Sequence, residues 1–267
     1  MSVNVAIIIP NYNYGEYVID AIDSVMSQVF TEGEIRAYVV DDGSSDDSWN
    51  KIISITDPII YKDSSSHMDA PYYKGPIERR QRQNVYVCKI NNSGASTARN
   101  VAMWEAWEWA NIFGLLDADD MYKSNKVNTL VAKLSEHDEI GVAYGDYDIH
   151  TILDNDQLIK YEAKFSYSRD TLLQQCIVHS GSLIKKNFLQ QVILPNQEIF
   201  DSRLHGPGSK EFIGCTEDYD LWIRLSKICM MVHVPQSLSV VRTTGRNQSI
   251  KVTPDIFQKN AKILGSR

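Results

Sequence analysis

The stretch Ile112-Phe113-Gly114-Leu115-Leu116-Asp117-Ala118-Asp119-Asp120 sets five apolar or small residues against three carboxylates in the next four positions. A short apolar run of this kind suits a strand buried on both faces of a parallel sheet. Its acidic end suits the rim where the chain leaves the core. Working outward, the same design recurs twice upstream. Val5-Ala6-Ile7-Ile8-Ile9 is closed by Pro10-Asn11-Tyr12-Asn13, and Ala37-Tyr38-Val39-Val40 runs into Asp41-Asp42-Gly43-Ser44. Residues 15–29 place Val18, Ala21, Ile22, Val25 and Val29 at helical spacing. Residues 45–56, with Ser44 or Ser45 as N-cap, 95–110 and about 123–136 also read as helices. Val85-Tyr86-Val87-Cys88 and about 140–147 read as strands. Strand and helix in alternation imply right-handed βαβ units, hence an α/β fold with a mainly parallel central sheet flanked by helices. Ligands of open α/β sheets bind outside the carboxyl ends of the strands. The three polar strand ends therefore point to one site.

The rest of the chain is less regular. Residues 57–84 are rich in Ser, Pro, Tyr and charge, and they read as a surface insertion. Their cluster Glu78-Arg79-Arg80-Gln81-Arg82 suits a solvated face or a contact for an anionic partner or membrane headgroups. Residues 148–176 suggest strands and a loop before a short helix, and 194–215 a long loop. A helix follows at about 217–228, two strand-like pieces at 230–234 and 238–242, and a last helix at about 254–264.

At 267 residues, 43% hydrophobic and 23% charged, the chain has the make-up of a globular protein with a core. A net charge of -7 argues against a general nucleic-acid partner, which needs a basic face, but leaves room for a small phosphorylated ligand. Cys88, Cys176, Cys215 and Cys229 show neither C-x-x-C nor zinc-ligand spacing and read as free thiols in a reducing compartment. The first residues do not read as a signal peptide, and no apolar run approaches the roughly 20 residues of a membrane span. The expectation is a cytoplasmic protein, with peripheral contact at the inner face of the membrane left open.

Several groups carry chemistry. Three crowded carboxylates at 117–120 repel one another unless a cation sits among them. Hard ions such as Mg²⁺ and Mn²⁺ take carboxylate oxygens and share their other positions with substrate phosphates. The blander reading is a polar turn capping the next helix. Asp42 suits a base N–H or a ribose hydroxyl, as well as a turn. Tyr12 offers a flat face for a nucleobase, as well as ordinary packing. In Asn91-Asn92-Ser93-Gly94-Ala95-Ser96-Thr97-Ala98-Arg99-Asn100, small residues admit close backbone approach, and Arg99 suits a phosphate or base, or a surface ion pair. Thr216-Glu217-Asp218-Tyr219-Asp220 opens a helix whose N-terminus holds carboxylates ionised, for a general base or simply for the dipole.

In order and spacing, five segments resemble the family 2 glycosyltransferases of the GT-A fold: Val5 to Asn13, Val39 to Asp46, Asn92 to Asn100, Leu116 to Asp120, and Glu217-Asp218. The resemblance spans roughly residues 3–250, interrupted at 57–84. It implies one continuous GT-A domain, with a nucleotide-sugar-binding half at 1–147 and a less regular acceptor-binding half at 148–267. It implies a nucleotide-diphosphate sugar donor, UDP-linked as first choice, Mn²⁺ or Mg²⁺, and inversion at the anomeric carbon. The acceptor is a hydroxyl of a glycan, a lipid-linked glycan or a protein. Carried over, Pro10, Tyr12, Asp42, Arg99 and Asp117 look like the nucleotide pocket. Asp117 and Asp119 look like the D-x-D metal pair, with Asp120 as an additional ligand, and Asp218 like the general base beside Glu217. Many members carry Arg-x-His near the domain end. Here the stretch reads Arg242-Thr243-Thr244-Gly245-Arg246, so Thr244 stands at the His position and Arg242 or Arg246 is left to contact the diphosphate. A non-catalytic nucleotide- or glycan-binding relative is the alternative. A sugar-nucleotide pyrophosphorylase needs a Gly-rich basic loop that Val5 to Gly15 does not offer.

Overall fold

A computed structural model describes residues 2–58, 73–152, 158–163, 166–204 and 217–244. The expected helix at 254–264, Arg246, Thr216, residues 205–215 of the expected 194–215 loop with Cys215, and residues 59–72 of the expected insertion lie outside the described residues. In chain order the strands are β1 (Val3–Asn11), β2 (Gly33–Asp41), β3 (Asp57–Pro58), β4 (Glu78–Arg82), β5 (Val85–Lys89), β6 (Ile112–Leu115), β7 (Met121–Tyr122), β8 (Ile140–Ile152), β9 (Leu158–Ala163), β10 (Leu183–Lys185) and β11 (Met230–Thr243). The helices are α1 (Val18–Met26), α2 (Ser48–Ser54), α3 (Ala95–Ala106), α4 (Lys126–Ser135), α5 (Arg169–Leu172), α6 (Lys186–Leu189) and α7 (Glu217–Leu225).

All described strands join one sheet in the order β3-β4-β5-β2-β1-β6-β10-β8-β11-β7, with β9 on β8. The central strands β5, β2, β1 and β6 are parallel, as their unbroken apolar runs require. β10 then enters antiparallel, and β8 and β11 form a second parallel pair. Side chains along β1 alternate between two cores. Val5, Ile7 and Ile9 pack with α1, α2 and α4, whereas Ala6 and Ile8 pack with α3 and α7. The chain steps outward from β1 through β2 to β5, then crosses back over α3 to β6 on the other side of β1. Strand order thus reverses between β1 and β6, and the crevice at their carboxyl ends is the place where such sheets bind ligands.

The structure corrects the sequence reading in places. Residues 78–82 are not an insertion loop but strand β4, paired antiparallel with β5. Arg79 forms a largely buried ion pair with Glu105 at 2.7 Å, and Arg80 donates to the Thr56 carbonyl, so neither is a freely solvated charge. The two pieces at 230–234 and 238–242 are one strand, β11, carried past Pro235 by register shifts. Ser44 and Ser45 do not cap α2. Its N-cap is Asp47, and the Asp46 carboxylate accepts from the Ser48 N–H at 2.9 Å.

Candidate active site

The crevice is built first from hydrogen bonds between strand ends. Asn11 Nδ2 donates to Asp41 at 2.8 Å, and Asp41 also accepts from the Ser44 hydroxyl at 2.6 Å. Gly43 takes φ +69, and a Cβ there would lie 2.7 Å from the Asn92 nitrogen, so the turn needs glycine. The turn delivers Asp42 to the loop before α3. There its carboxylate accepts from the Ser93 N–H at 2.7 Å and the Gly94 N–H at 2.8 Å. Asp42 therefore braces this loop against β2 before any ligand arrives. Beside it Pro10 is still paired within β1, which ends at Asn11, and Tyr12 directly after the strand is 46% exposed, an open aromatic face at the crevice mouth.

Arg99 is the hub. It stands on α3, a helix buried along nearly its whole length, and is only 8% exposed. Its guanidinium donates to Asp117 at 2.8 Å and to Glu217 at 2.5 Å, and lies 5.7 Å from the Phe200 ring centre. Burial opposes its charge, but Asp117, Glu217 and Asp218 outweigh that and raise it above its usual range. Rather than the surface ion pair it also suited, Arg99 forms a buried bridge. It ties the D-x-D run after β6 to the first turn of α7, about a hundred residues further on. Asp117 accepts in addition from the Ser180 hydroxyl at 2.9 Å.

Around the bridge, carboxylates are crowded. Burial and the Asp117 charge raise Asp119 to about 7, against the pull of its backbone, Arg242 and Tyr14. Asp120 is raised by burial and then by Asp117 and Asp119. It accepts from the Arg242 N–H at 2.9 Å and faces the buried Lys126, whose ammonium burial lowers to about 7. Lys126 also donates to the Ser239 hydroxyl and sits 4.0 Å from the Tyr122 ring centre. Across the bridge, burial and Glu217 raise Asp218 to about 7, while Arg99 opposes them. The helix N-terminus was expected to keep this carboxylate ionised; desolvation and the neighbouring Glu217 win. Arg242 turns its side chain toward α1, donating to Asp20 at 2.7 Å and lying 5.2 Å from the Tyr17 ring centre.

Among the described residues no group of three or more His, Cys, Asp and Glu is disposed as a ready-made metal cluster. The donor set nonetheless fits a hard divalent ion held by one or two carboxylates plus substrate phosphates. Asp117 and Asp119 offer only oxygen, and their mutual repulsion is the kind a cation relieves. Ser180, Tyr14 and Lys126 were not singled out by sequence. Ser180 sits in an unremarkable stretch, whereas Tyr14 directly follows the Pro10–Asn13 strand end and Lys126 lies six residues after Asp120, so closeness to those segments was the only signal.

The sequence model described as glycosyl transferase family 2 matches residues 6–192. The chain belongs to this family. It is 25% identical over 224 residues to UDP-Glc:alpha-D-GlcNAc-diphosphoundecaprenol beta-1,3-glucosyltransferase WfgD of Escherichia coli, covering 84% of this chain and 70% of that protein. It is 27% identical over 139 residues to minor teichoic acid biosynthesis protein GgaA of Bacillus subtilis, covering 52% of this chain and 26% of that one. Among solved structures, S. aureus TarS 1-349 in complex with UDP-GlcNAc superposes with a TM-score of 0.64 at 15% identity, over 99% of this chain and 65% of that one. The mannosyltransferase PcManGT from Pyrobaculum calidifontis, in complex with GDP-Man and Mn2+, superposes with a TM-score of 0.58 at 12% identity, over 99% of this chain and 70% of that one. These likenesses establish the GT-A fold. The chain spans about two thirds of the TarS fragment and about a quarter of GgaA. No helix among the described residues is long and apolar enough to cross a membrane.

Proposed function

We propose that this family 2 chain transfers a sugar from a nucleoside-diphosphate donor, UDP-linked as first choice, to a hydroxyl acceptor with inversion at the anomeric carbon. The observation that carries the reading is the buried Asp117–Arg99–Glu217 bridge, which sets the D-x-D run and the acid-led helix α7 against each other across one crevice. Tyr12 offers its open face to the base, with Pro10 and Asp42 shaping the pocket. Asp119 and Asp117 would hold Mn²⁺ or Mg²⁺, and the bound ion would neutralise charge on the departing diphosphate. Asp218, held near pH 7, takes the proton from the acceptor hydroxyl. The freed oxygen bonds to the anomeric carbon. The bond from that carbon to the diphosphate oxygen breaks, and the nucleoside diphosphate leaves with the electron pair. Arg99 acts through Asp117 and Glu217, fixing both walls rather than following the leaving group.

A lipid-linked glycan is the acceptor class we favour, since WfgD is named for a diphosphoundecaprenol-linked substrate. The chain would then work at the cytoplasmic face of a membrane. Calorimetric titration with UDP, GDP, dTDP and CDP, each with and without Mn²⁺, tests the core of this reading. One nucleotide should bind, and Mn²⁺ should tighten it. No binding of any of the four with metal present would refute the proposal.

A further inference from the structure

The turn before β10 brings to the D-x-D run a side chain that no sequence motif marks. β10 pairs antiparallel with β6, Leu183 opposite Gly114 and Lys185 opposite Ile112. The preceding turn, His179-Ser180-Gly181-Ser182, therefore lies at the carboxyl end of β6, where Asp117 stands. Three residues of the turn are tied down. The Ser182 carbonyl accepts from the Leu115 N–H at 3.3 Å, and the Ser182 hydroxyl donates to the His179 carbonyl at 2.7 Å. The Gly181 N–H donates to His179 Nδ1 at 2.9 Å, and a Cβ on Gly181 would lie 2.5 Å from the same ring. His179 Nε2 lies 2.8 Å from the Gly145 carbonyl oxygen of β8. A carbonyl only accepts, so the ring proton is on Nε2 and Nδ1 is the acceptor. His179 is thus held neutral, in one tautomer, with the Tyr147 ring edge-on to it at 4.9 Å between centroids. The fourth residue, Ser180, donates its hydroxyl to Asp117 Oδ2 at 2.9 Å, while Arg99 of α3 donates to Oδ1 at 2.8 Å. Each oxygen of Asp117 is held by a different element, and the side chain still keeps 35% exposure toward solvent.

We propose that Ser180 is a positioning residue for the Asp117 carboxylate, presented by a turn that the neutral His179 holds closed. The inference rests on the reading of Asp117 as part of the nucleotide site. A carboxylate gripped at one oxygen by Arg99 keeps rotational freedom about its Cβ–Cγ bond. With a donor on each oxygen its plane is set before the nucleotide arrives, and less freedom is lost on binding. A hydrogen bond to a charged group is also worth more than one between neutral groups. A serine that only stabilised the turn would act on nucleotide binding equally whether or not Asp117 was present.

The test is a double-mutant cycle read by calorimetric titration with UDP in the presence of Mn²⁺, or with whichever of GDP, dTDP and CDP the protein binds in its place. It compares wild type, Ser180→Ala, Ser180→Thr, Asp117→Ala and the double variant Ser180→Ala with Asp117→Ala. Ser180→Ala should weaken the nucleotide about ten-fold. Ser180→Thr keeps the hydroxyl and should recover most of that loss. In the Asp117→Ala background, removing the Ser180 hydroxyl should cost nothing further. If wild type binds and Ser180→Ala binds equally well, or if Ser180→Ala costs the same with and without Asp117, Ser180 has no such role while the nucleotide reading survives. If wild type binds none of the four, or Asp117→Ala binds like wild type, the reading of Asp117 fails and takes the inference with it. Circular dichroism checks folding. Should Ser180→Ala not fold, Ser180→Cys, which keeps the size but is a weak donor, decides by the same criterion, since unchanged affinity there removes the role.

Discussion

Asp218 stands one residue inside α7 with its Oδ1 accepting from the Tyr219 N–H at 2.7 Å. Glu217 before it is 2% exposed and is neutralised by Arg99, so the two carboxylates divide their tasks: one is committed to the bridge, the other retains a proton up to about pH 7. A base with that affinity is suited to a hydroxyl at neutral pH, because it is ionised when needed yet basic enough to accept. Asp218→Asn removes the acceptor while preserving shape. We expect nucleotide binding to persist and transfer to fall about 10²–10⁴-fold. If Asp218 is the base as proposed, the active form would be the deprotonated one, so kcat/KM should climb as pH rises through about 7 and then level off. A flat profile between pH 5.5 and 8.5, or near-full turnover in Asp218→Asn, would exclude it as the base.

The elements carrying these residues depend on one another through few contacts, and these can be weighed. Asn100 on α3 donates to the Phe200 carbonyl at 2.7 Å and accepts from the N–H groups of Ile199 and Phe200 at 3.0 and 2.8 Å. Arg224 of α7 donates to the carbonyls of Val192 and Ile199, so the 192–200 segment is clamped between α3 and α7. Truncating Asn100 to Ala leaves three buried backbone groups without their partner, at roughly 1–3 kcal/mol each before relaxation. We expect Asn100→Ala to lose about 3 kcal/mol in urea unfolding. A loss under about 1 kcal/mol would show that these three contacts carry little weight. This clamp was not legible in the sequence, nor were β7 and β10, which are too short for any periodicity to show. β4 was hidden because Arg79 and Arg80 look solvent-bound until Glu105 and Thr56 are seen to meet them. By contrast β1, β2, β5 and β6 were readable, because a strand buried on both faces must be apolar without interruption. Helices α1 to α4 and α7 were also readable, although most of their ends fall a few residues inside the expected limits, whereas the four-residue α6 was not expected. At the site, the polar strand ends marked the crevice. The partner of each side chain was decided by tertiary packing, which is why the sequence placed Arg99 one turn into a helix but did not show the two acids it lies between.

Across the whole molecule, the crevice concentrates negative charge in a chain already at -7, and this sets how stability should respond to pH and metal. Asp119 and Asp218 are both raised in the folded state to about 7 from the usual 3.8. The folded protein therefore holds protons that the unfolded chain has released. Their contribution is fully present near pH 4 and is lost as pH rises through about 7. Lys126 has the opposite shift, from 10.5 to about 7. The unfolded chain holds that proton longer, and its contribution is recovered only as pH rises from about 7 toward 10.5. The metal-free protein should thus have a shallow stability minimum near neutrality, where neither set of protons favours the fold. If Asp119 holds a divalent ion as proposed, the ion would replace the missing protons there and would bind only the deprotonated carboxylate, so its effect would grow with pH. Ligand stabilisation follows RT ln(1 + [L]/Kd), which converts that affinity into a shift in Tm. We expect the Tm increment given by a fixed concentration of Mn²⁺ with UDP to be several degrees larger at pH 8 than at pH 6. In Asp119→Asn the increment should shrink at both pH values and lose its pH dependence, as read by differential scanning calorimetry. An increment equal at the two pH values in the wild type would mean that the cation does not compete with protons at these carboxylates, and that the charge crowding at the strand end is balanced from within the protein instead.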